Sequence, residues 1–243
     1  MATPRRALVT GAASGIGAAC ARRLAADGVH VVAVDYDAAG LETLEGMQTV
    51  VADLADLHSL GDLPKDVDIL VNNAGVQQVA PLEQFPPERF SYILRLMLES
   101  PFRLIRQTLP HMYGAGWGRV INISSVHGLR ASPFKAAYVA AKHGLEGLSK
   151  VVALEGAPHG VTSNCVNPAY VRTPLVTAQL ADQAATHGLT ESEVLEKVML
   201  EPVAVKRLIE PDEVAELVAL LCGRASASIT GSSFVLDGGW TAH

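Results

Sequence analysis

The sequence predicts an α/β fold in which helices cover both faces of one doubly wound parallel sheet. Short β-branched runs alternate with longer helical patterns along the whole chain. The runs are apolar nearly throughout, which is typical of strands that are buried on both faces. The 243 residues are 49% hydrophobic and show no repeat or linker. We therefore expect one domain over residues 1–243.

The predicted elements follow one another as strand and helix in regular order. The apolar runs are too short for helices, and the segments between most of them have helical spacing. The strands are expected at 7–10, 30–35, 48–53, 68–73, 119–124, 161–168 and 232–237, and the main helices at 15–27, about 87–113, about 136–157 and about 211–222.

Residues 174–202 interrupt this alternation before the last strand. They carry one or two helical patterns where a strand would otherwise follow. Inserted helices beside the ligand-binding edge of a sheet commonly close over a substrate, so we expect a lid here.

Composition excludes several classes of function. The net charge is −6 with no basic run, which argues against nucleic-acid binding. No run of 18 apolar residues suggests a membrane helix, and the start, MATPRRALVT, is too short for a signal peptide, so we expect a cytoplasmic protein. The three cysteines are widely spaced, and neither a disulfide framework nor a metal site is expected.

A glycine-rich turn joins the first strand to the first helix. Gly11, Ser14, Gly15, Ile16 and Gly17 lie in the run TGAASGIG. Glycines permit a tight turn and a close approach to a pyrophosphate, and the free N–H groups of the following helix favour its negative charge. The position of the run between a strand and a helix strengthens the prediction of a dinucleotide site over that of a simple turn.

Asp35 ends the second strand, 18 residues beyond Gly17. An acid at this distance accepts hydrogen bonds from the adenosine ribose and repels a 2′-phosphate. Neither Ser14 nor Tyr36 is a basic residue that would offset the charge. We therefore predict NAD rather than NADP, although Asp35 could also be an ordinary solvated strand end.

Tyr138 and Lys142 lie four residues apart in the helical run AAYVAAKH. On a helix they share one face, and a nearby ammonium lowers the pKa of a phenol. Tyr138 can then exchange a proton with an alcohol or a ketone. Ser124 and Ser125 end the fifth strand, where a hydroxyl can stabilise a developing alkoxide. The alternative is a core tyrosine with its lysine extending to solvent.

These motifs together resemble the short-chain dehydrogenase/reductase family over the whole chain. They are TGAASGIG, Asp35, Asp53-Leu54, the run NNAG at 72–75, Ser125 and the Tyr138–Lys142 pair. The resemblance implies a Rossmann fold with seven strands, usually in a homotetramer. It further implies cofactor contacts from Asp53, Leu54, Asn73, Ala74, Gly75, Tyr138, Lys142, Val171 and Thr173.

Several further stretches resemble family members that act on small 3-hydroxy acids, among them SSVHGLRASPFKAAYVAAKHG and DGGWTAH. The likeness implies (R)-3-hydroxybutyrate as substrate and acetoacetate as product, with Ser125, Tyr138 and Tyr170 also at the substrate. Those members have a tryptophan at the position of Tyr170 and a glycine at that of Ala169, and both changes affect the shape of the pocket. The residues implied around the carboxylate are Gln77, His127, Lys135 and Gln179, with Trp240 on the methyl side.

Met97 is a departure from the family, which usually has an asparagine there whose main-chain carbonyl holds a water linked to the lysine. One interpretation is a crippled proton relay. The other starts from Pro101, which has no N–H to bond the Met97 carbonyl four residues back. We hypothesise that this freed carbonyl holds the same water, so Met97 is included among the candidate catalytic residues.

Alternatives remain for each functional assignment. Lys135 alone could be a solvated charge, and His127 could cap a turn. The protein could oxidise another secondary alcohol or hydroxy acid, or bind NAD without catalysis. An acyl-carrier or acyl-CoA reductase is disfavoured by Asp35, since those enzymes mostly use NADPH.

Overall fold

The computed structural model describes residues 4–177, 180, 184 and 188–242. Seven parallel strands form one sheet in the order β3-β2-β1-β4-β5-β6-β7, which confirms the predicted doubly wound arrangement. The strands are β1 Arg6–Thr10, β2 His30–Asp35, β3 Gln48–Val51, β4 Ile69–Asn72, β5 Gly118–Ile123, β6 Val161–Pro168 and β7 Ser233–Leu236.

Helices pack on both faces of the sheet. Two apolar clusters form, one against α1 and α7 and the other against α4 and α5. Strands β4, β5 and β6 are buried throughout, whereas the edge strands β3 and β7 are partly exposed because each has one neighbour. The helices are α1 Gly15–Ala26, α2 Ala38–Leu41, α3 Pro87–Leu94, α4 Ser100–Ala115, α5 Ala136–Gly156, α6 Glu191–Val194 and α7 Pro211–Cys222.

The long helix expected at about 87–113 is interrupted by a π turn at Arg95–Glu99. The N–H of Ser100 donates to the carbonyl of Arg95, five residues back. Pro101 follows directly and has no N–H to continue the normal pattern. The helix therefore changes its geometry beside Met97.

The inserted segment has a small apolar cluster of its own. Val176, Val194, Met199 and Val203 pack together with several neighbours, and Tyr170 and Trp240 pack against them. Thr190 and Glu193 form a capping box that begins α6. The described residues of the segment thus form an apolar cluster that is separate from the two main clusters.

Candidate active site

A deep cavity lies where the strand order reverses between β1 and β4. In open parallel sheets, ligands bind at this switch point, outside the carboxyl ends of the strands. The cavity has a volume of about 390 Å³ and is bounded by the ends of β1, β2, β4, β5 and β6. It runs from the glycine turn to Trp240, near the end of the chain.

The glycines of the turn at one end of the cavity leave no room for a side chain. Gly11 has φ +64°, and an added Cβ would lie 2.8 Å from the Cα of Ala74. A Cβ on Gly17 would overlap the carbonyl oxygen of Gly11. The Ser14 side chain makes no capping bond at the start of α1, so the first N–H groups of this 12-residue helix face the cavity end. The loop and helix end fit a pyrophosphate.

Asp35 is 8% exposed, so it is not the solvated strand end that the sequence left open. Its carboxylate accepts the N–H of Ala13 at 3.0 Å and that of Asp37 at 3.1 Å. Carboxylate oxygens can each accept more than one bond, which leaves capacity for ribose hydroxyls. Asp35 is therefore fixed at the cavity wall by the turn itself.

The end of β4 is fastened to the glycine turn by side chains. The Asn73 amide donates to the carbonyls of Thr10 and Gly11, both at 3.0 Å. The Thr10 hydroxyl accepts the N–H of Asn73 at 2.9 Å and that of Ala74 at 3.2 Å. These bonds hold the two strand ends at a fixed separation beneath the cavity.

The predicted proton-transfer residues converge at the middle of the cavity. Ser125, Tyr138 and Lys142 all line it, Ser125 from the end of β5 and the other two from α5. Tyr138 lies edge-on to the His127 ring, with centroids 6.0 Å apart. The Lys142 nitrogen lies 5.6 Å from the Tyr138 ring centroid and donates to the Ile123 carbonyl at 2.6 Å. Lys142 is only 4% exposed, which excludes a lysine that extends to solvent.

The sequence predicts that Lys142 lowers the pKa of Tyr138, and this direction is wrong for the structure. Burial raises the pKa of the phenol, and a hydrogen bond with Ser125 only partly opposes this. Burial also lowers the pKa of Lys142 to about 8. The sequence shows that a lysine lies one turn away, but it does not show how much water both groups lose.

At the other end of the cavity, His127 is held between three polar groups. Its Nδ1 lies 3.4 Å from the Ser125 hydroxyl, and its Nε2 lies 3.0 Å from the Ser132 hydroxyl and 3.5 Å from the Lys135 nitrogen. The indole of Trp240 stacks on the His127 ring with centroids 5.5 Å apart. His127 therefore does more than cap the turn before Gly128.

Lys135 is 7% exposed, which excludes the solvated charge that the sequence left open. Its nitrogen lies 5.6 Å from the centroid of the Tyr170 ring. Burial lowers the pKa of Lys135 to about 8, and burial together with Lys135 lowers the pKa of His127 to about 3. At neutral pH this end of the cavity carries a cationic lysine and a neutral imidazole.

Trp240 owes its position to a tight turn after β7. The Asp237 carboxylate accepts the N–H of Gly239 at 2.8 Å and both the N–H and the hydroxyl of Thr241 at 2.7 Å. Gly238 and Gly239 both have positive φ, which glycine adopts without strain. The turn formed by the run DGGWT therefore places the Trp240 indole at the cavity.

Met97 lies on the π turn and is 1% exposed. A Cβ added to Gly75 would lie 3.3 Å from the Met97 Cε, so the thioether packs beneath the run NNAG. Pro101 and the π turn together disturb the normal bonding of the carbonyls in this turn. The geometry agrees with a side chain that packs, as the sequence hypothesis requires.

All of the site residues predicted from the sequence line this cavity except Gly17 and Gln179. Gly17 lies behind the glycine turn, and Gln179 lies outside the described residues. Sequence analysis missed Tyr36 and Tyr92 near the adenosine end and Ser132 beside His127. Their residue types alone gave no signal, although Tyr36 directly follows Asp35.

The described residues contain neither a membrane-spanning helix nor a cluster of metal ligands. No helix there combines the length and apolar character needed to cross a membrane. Within the same residues, no three His, Cys, Asp or Glu side chains are grouped so that they could hold a metal ion.

Comparison with known proteins places this cavity in a family. The curated D-beta-hydroxybutyrate dehydrogenase of Rhizobium meliloti (strain 1021) is 46% identical over 98% of this chain and 99% of its own length. The protein of that name from Cupriavidus necator is 40% identical over the full length of both chains. A variant of actinorhodin polyketide ketoreductase solved with NADPH is 31% identical, with a TM-score of 0.93 over both full chains.

The family comparison agrees with the catalytic geometry of the cavity. Residues 5–184 match the family described as short chain dehydrogenase. That match spans the glycine turn, Asp35, Ser125 and the Tyr138–Lys142 pair. By this match and by the identity to its relatives over their whole length, the chain belongs to the short-chain dehydrogenase family of oxidoreductases.

Proposed function

We propose that the protein is an NAD-dependent dehydrogenase that reversibly oxidises (R)-3-hydroxybutyrate to acetoacetate. The distribution of charge along the cavity carries this proposal. Among the described residues that line it, the acids Asp35, Asp37 and Asp53 lie at the nucleotide end. The buried cation Lys135 lies at the opposite end, beyond Tyr138. A small hydroxy acid needs such a cation for its carboxylate.

The nucleotide end fits NAD. The glycine turn and the start of α1 would hold the pyrophosphate, and Asp35 would accept the ribose hydroxyls. Asp53 and Leu54 would border the adenine, and Val171 and Thr173 the carboxamide, as the family resemblance implies. When bound, NAD supplies the acceptor for the hydride that leaves C3 of the substrate.

Tyr138 is the proposed general base, and it takes the proton of the C3 hydroxyl. The Ser125 hydroxyl donates a hydrogen bond to the carbonyl oxygen that forms. Lys142 carries the positive charge that favours the phenolate against the effect of burial. In the reverse direction the same phenol returns the proton to acetoacetate.

The substrate carboxylate would lie between Lys135, His127 and Gln77. Lys135 supplies the charge, and the neutral His127 can donate one ring N–H. Tyr170 and the indole of Trp240 close the apolar side of this space. Gln179, which lies outside the described residues, is the remaining residue that the family resemblance implies at the carboxylate.

Two further parts of the proposal concern water. The Met97 carbonyl would hold the water that connects Lys142 with solvent, because Pro101 offers it no N–H. Residues 174–202 would cover the bound substrate and exclude bulk water. The described residues of this segment pack in an apolar cluster of their own around Val194 and Met199, which supports the proposal of a separate cover.

The names of the relatives support the substrate, and Asp35 supports the cofactor. The Rhizobium and Cupriavidus proteins are both named for 3-hydroxybutyrate, whereas the ketoreductase structure was solved with NADPH. A buried carboxylate at the ribose disfavours a 2′-phosphate. We further propose a cytoplasmic homotetramer in which the helices that carry Met97 and Tyr138 pair between subunits.

A substrate and cofactor panel tests the proposal. The nicotinamide absorbance band is followed with NAD or NADP and with (R)-3-hydroxybutyrate, a sugar alcohol, cyclohexanol and a hydroxyacyl-CoA. We expect the highest kcat/KM with NAD and (R)-3-hydroxybutyrate. Asp35→Asn should raise the ratio of NADP to NAD use by at least about tenfold, because it removes a like-charge repulsion. A parent enzyme that prefers NADP or a neutral alcohol would contradict the proposal.

A further inference from the structure

A buried carboxylate lies directly behind the catalytic residues. Glu146 follows Lys142 by four residues on α5, as Lys142 follows Tyr138, so all three share one helix face. Glu146 is 5% exposed. Its Oε1 accepts the Asn167 amide at 2.5 Å, and its Oε2 accepts the Ser233 hydroxyl at 2.6 Å. The carboxylate therefore connects α5 with β6 and β7.

The Asn167 amide extends this connection to the active site. The same Nδ2 that donates to Glu146 also donates to the carbonyl of Ser125 at 2.9 Å. Ser125 is the residue whose hydroxyl faces Tyr138 and the substrate space. Its main chain is thus fixed from behind by a bridge that ends on Glu146.

The turn after β5 has a glycine, Gly128, at the position that lies against the Glu146 carboxylate. A Cβ added to Gly128 would lie 3.0 Å from the Glu146 Oε1 and 2.5 Å from the Ser124 hydroxyl oxygen. Any other residue at this position would displace one of them. The turn that carries Ser125 and His127 is therefore packed around the Glu146 carboxylate.

The two groups that donate to the Glu146 carboxylate, an amide and a hydroxyl, are both neutral. The titratable groups that act on Lys142 are Glu146 on its own helix and Cys165 on β6. Burial and Glu146 raise the pKa of the Cys165 thiol, which therefore stays uncharged. Tyr138, on the other side of Lys142, is neutral as well while burial raises its pKa. Glu146 is thus the acidic side chain one helix turn from Lys142, and it raises the pKa of Lys142 against the effect of burial.

We propose that Glu146 is a positioning residue of this active site. Its carboxylate fixes the main chain of Ser125 through Asn167 and keeps Lys142 in the ammonium form. The proposal deepens the proposed dehydrogenase function and rests on it for the kinetic part of its test. The effect on Lys142 can be measured without any substrate.

The test removes the charge and keeps the shape, in the variant Glu146→Gln. Lysine labelled with ¹³C at Cε is titrated by NMR in the full-length protein without substrate, and the Lys142 signal is assigned with Lys142→Met. Removal of a neighbouring opposite charge should lower the pH at which Lys142 titrates by about one unit. The matched control Glu155→Gln changes an exposed acid on the same helix and should leave the Lys142 titration unchanged.

Kinetics with NAD and (R)-3-hydroxybutyrate give the second readout. In Glu146→Gln the part of the alkaline fall of kcat/KM that reports Lys142 should move to lower pH, while the part that reports Lys135 should stay in place. A residue with a merely structural role would lower the amount of folded protein without moving either curve. If Glu146→Gln does not fold, Glu146→Leu removes the same charge without a buried amide and serves the same titration.

A folded variant in which Lys142 titrates as in the parent would overturn the proposal. If no substrate in the panel is turned over, the NMR titration still decides the effect of Glu146 on Lys142. Failure of the proposed function is therefore distinguishable from failure of this inference.

Discussion

The two ends of the cavity are built in different ways. At the nucleotide end, main-chain groups and glycines from neighbouring positions in the sequence form the surface, as at Gly11 and Gly17. At the substrate end, side chains from separate segments meet, as His127, Lys135 and Trp240 do. The first kind of surface depends on local spacing, and the second depends on how the whole chain folds. Substitutions at the two ends should therefore impair the enzyme in different ways.

The strongest effect is expected where the two ends meet. Tyr138→Phe removes the phenolic proton carrier and should lower kcat by about 10² to 10⁴-fold, since general acid–base catalysis contributes that much. NAD binding, followed by fluorescence titration, should stay within a few-fold of the parent. Full activity in the variant would show that proton transfer uses another group.

A substitution at the substrate end should lower kcat/KM only for substrates that carry a carboxylate. Lys135→Ala removes a buried, charge-assisted partner, worth about 1.5–3 kcal/mol, so kcat/KM for (R)-3-hydroxybutyrate should fall by about 10 to 150-fold. Any turnover of (R)-butan-2-ol, which has no carboxylate, should change little. The control Lys150→Ala alters an exposed lysine on α5. An equal loss for both substrates would mean that Lys135 supports the fold instead.

A substitution at the nucleotide end should weaken NAD binding and so lower activity equally for every substrate. Gly17→Ala forces a methyl group onto the Gly11 carbonyl and should cost about 1–3 kcal/mol in overpacking. We expect weaker NAD binding, by about tenfold or more at the upper end of that range, with the ratio between substrates unchanged. The control is Gly147→Ala on α5, where an added Cβ meets nothing within 4 Å. Unchanged NAD affinity in Gly17→Ala would contradict the role of the turn.

In the unmodified protein, a rise in pH should weaken the use of a carboxylate substrate by discharging Lys135 at the substrate end. Burial lowers the pKa of Lys135 to about 8, so the free enzyme loses this cation as pH rises through about 8. Above that pH, kcat/KM for (R)-3-hydroxybutyrate should fall towards tenfold per unit, relative to (R)-butan-2-ol. The ratio to the neutral alcohol cancels the titration of Lys142, which both substrates share. A ratio that stays constant up to pH 10 would contradict the loss of a carboxylate-binding cation near pH 8.

The smallest effect concerns the π turn. Pro101→Ala restores an N–H that can compete for the Met97 carbonyl. We expect kcat to fall by a few-fold and the pH profile to shift, because the proposed water loses one acceptor, worth about 1 kcal/mol. The π turn can be checked by the crystal structure of the variant. An unchanged rate and pH profile would remove Met97 from the proposed relay.

The contrast between the two ends also explains which parts of the site could be predicted from the sequence. The strand–helix order, the glycine turn and Asp35 were predictable, because strand burial and loop spacing are local properties. The raised pKa of Tyr138 was not, because it depends on water lost to residues far away in the chain. Glu146 was missed for the same reason, since its partners on β6 and β7 come together only in the fold.

The central claim is that one cavity binds NAD at its acidic end and a hydroxy acid at its lysine end. The most direct measurement is the ratio of kcat/KM for (R)-3-hydroxybutyrate to that for (R)-butan-2-ol, with NAD at neutral pH. A carboxylate held by Lys135 predicts a ratio of at least about ten. Equal or better use of the neutral alcohol, or bound NAD with no reduction by either compound, would contradict the claim.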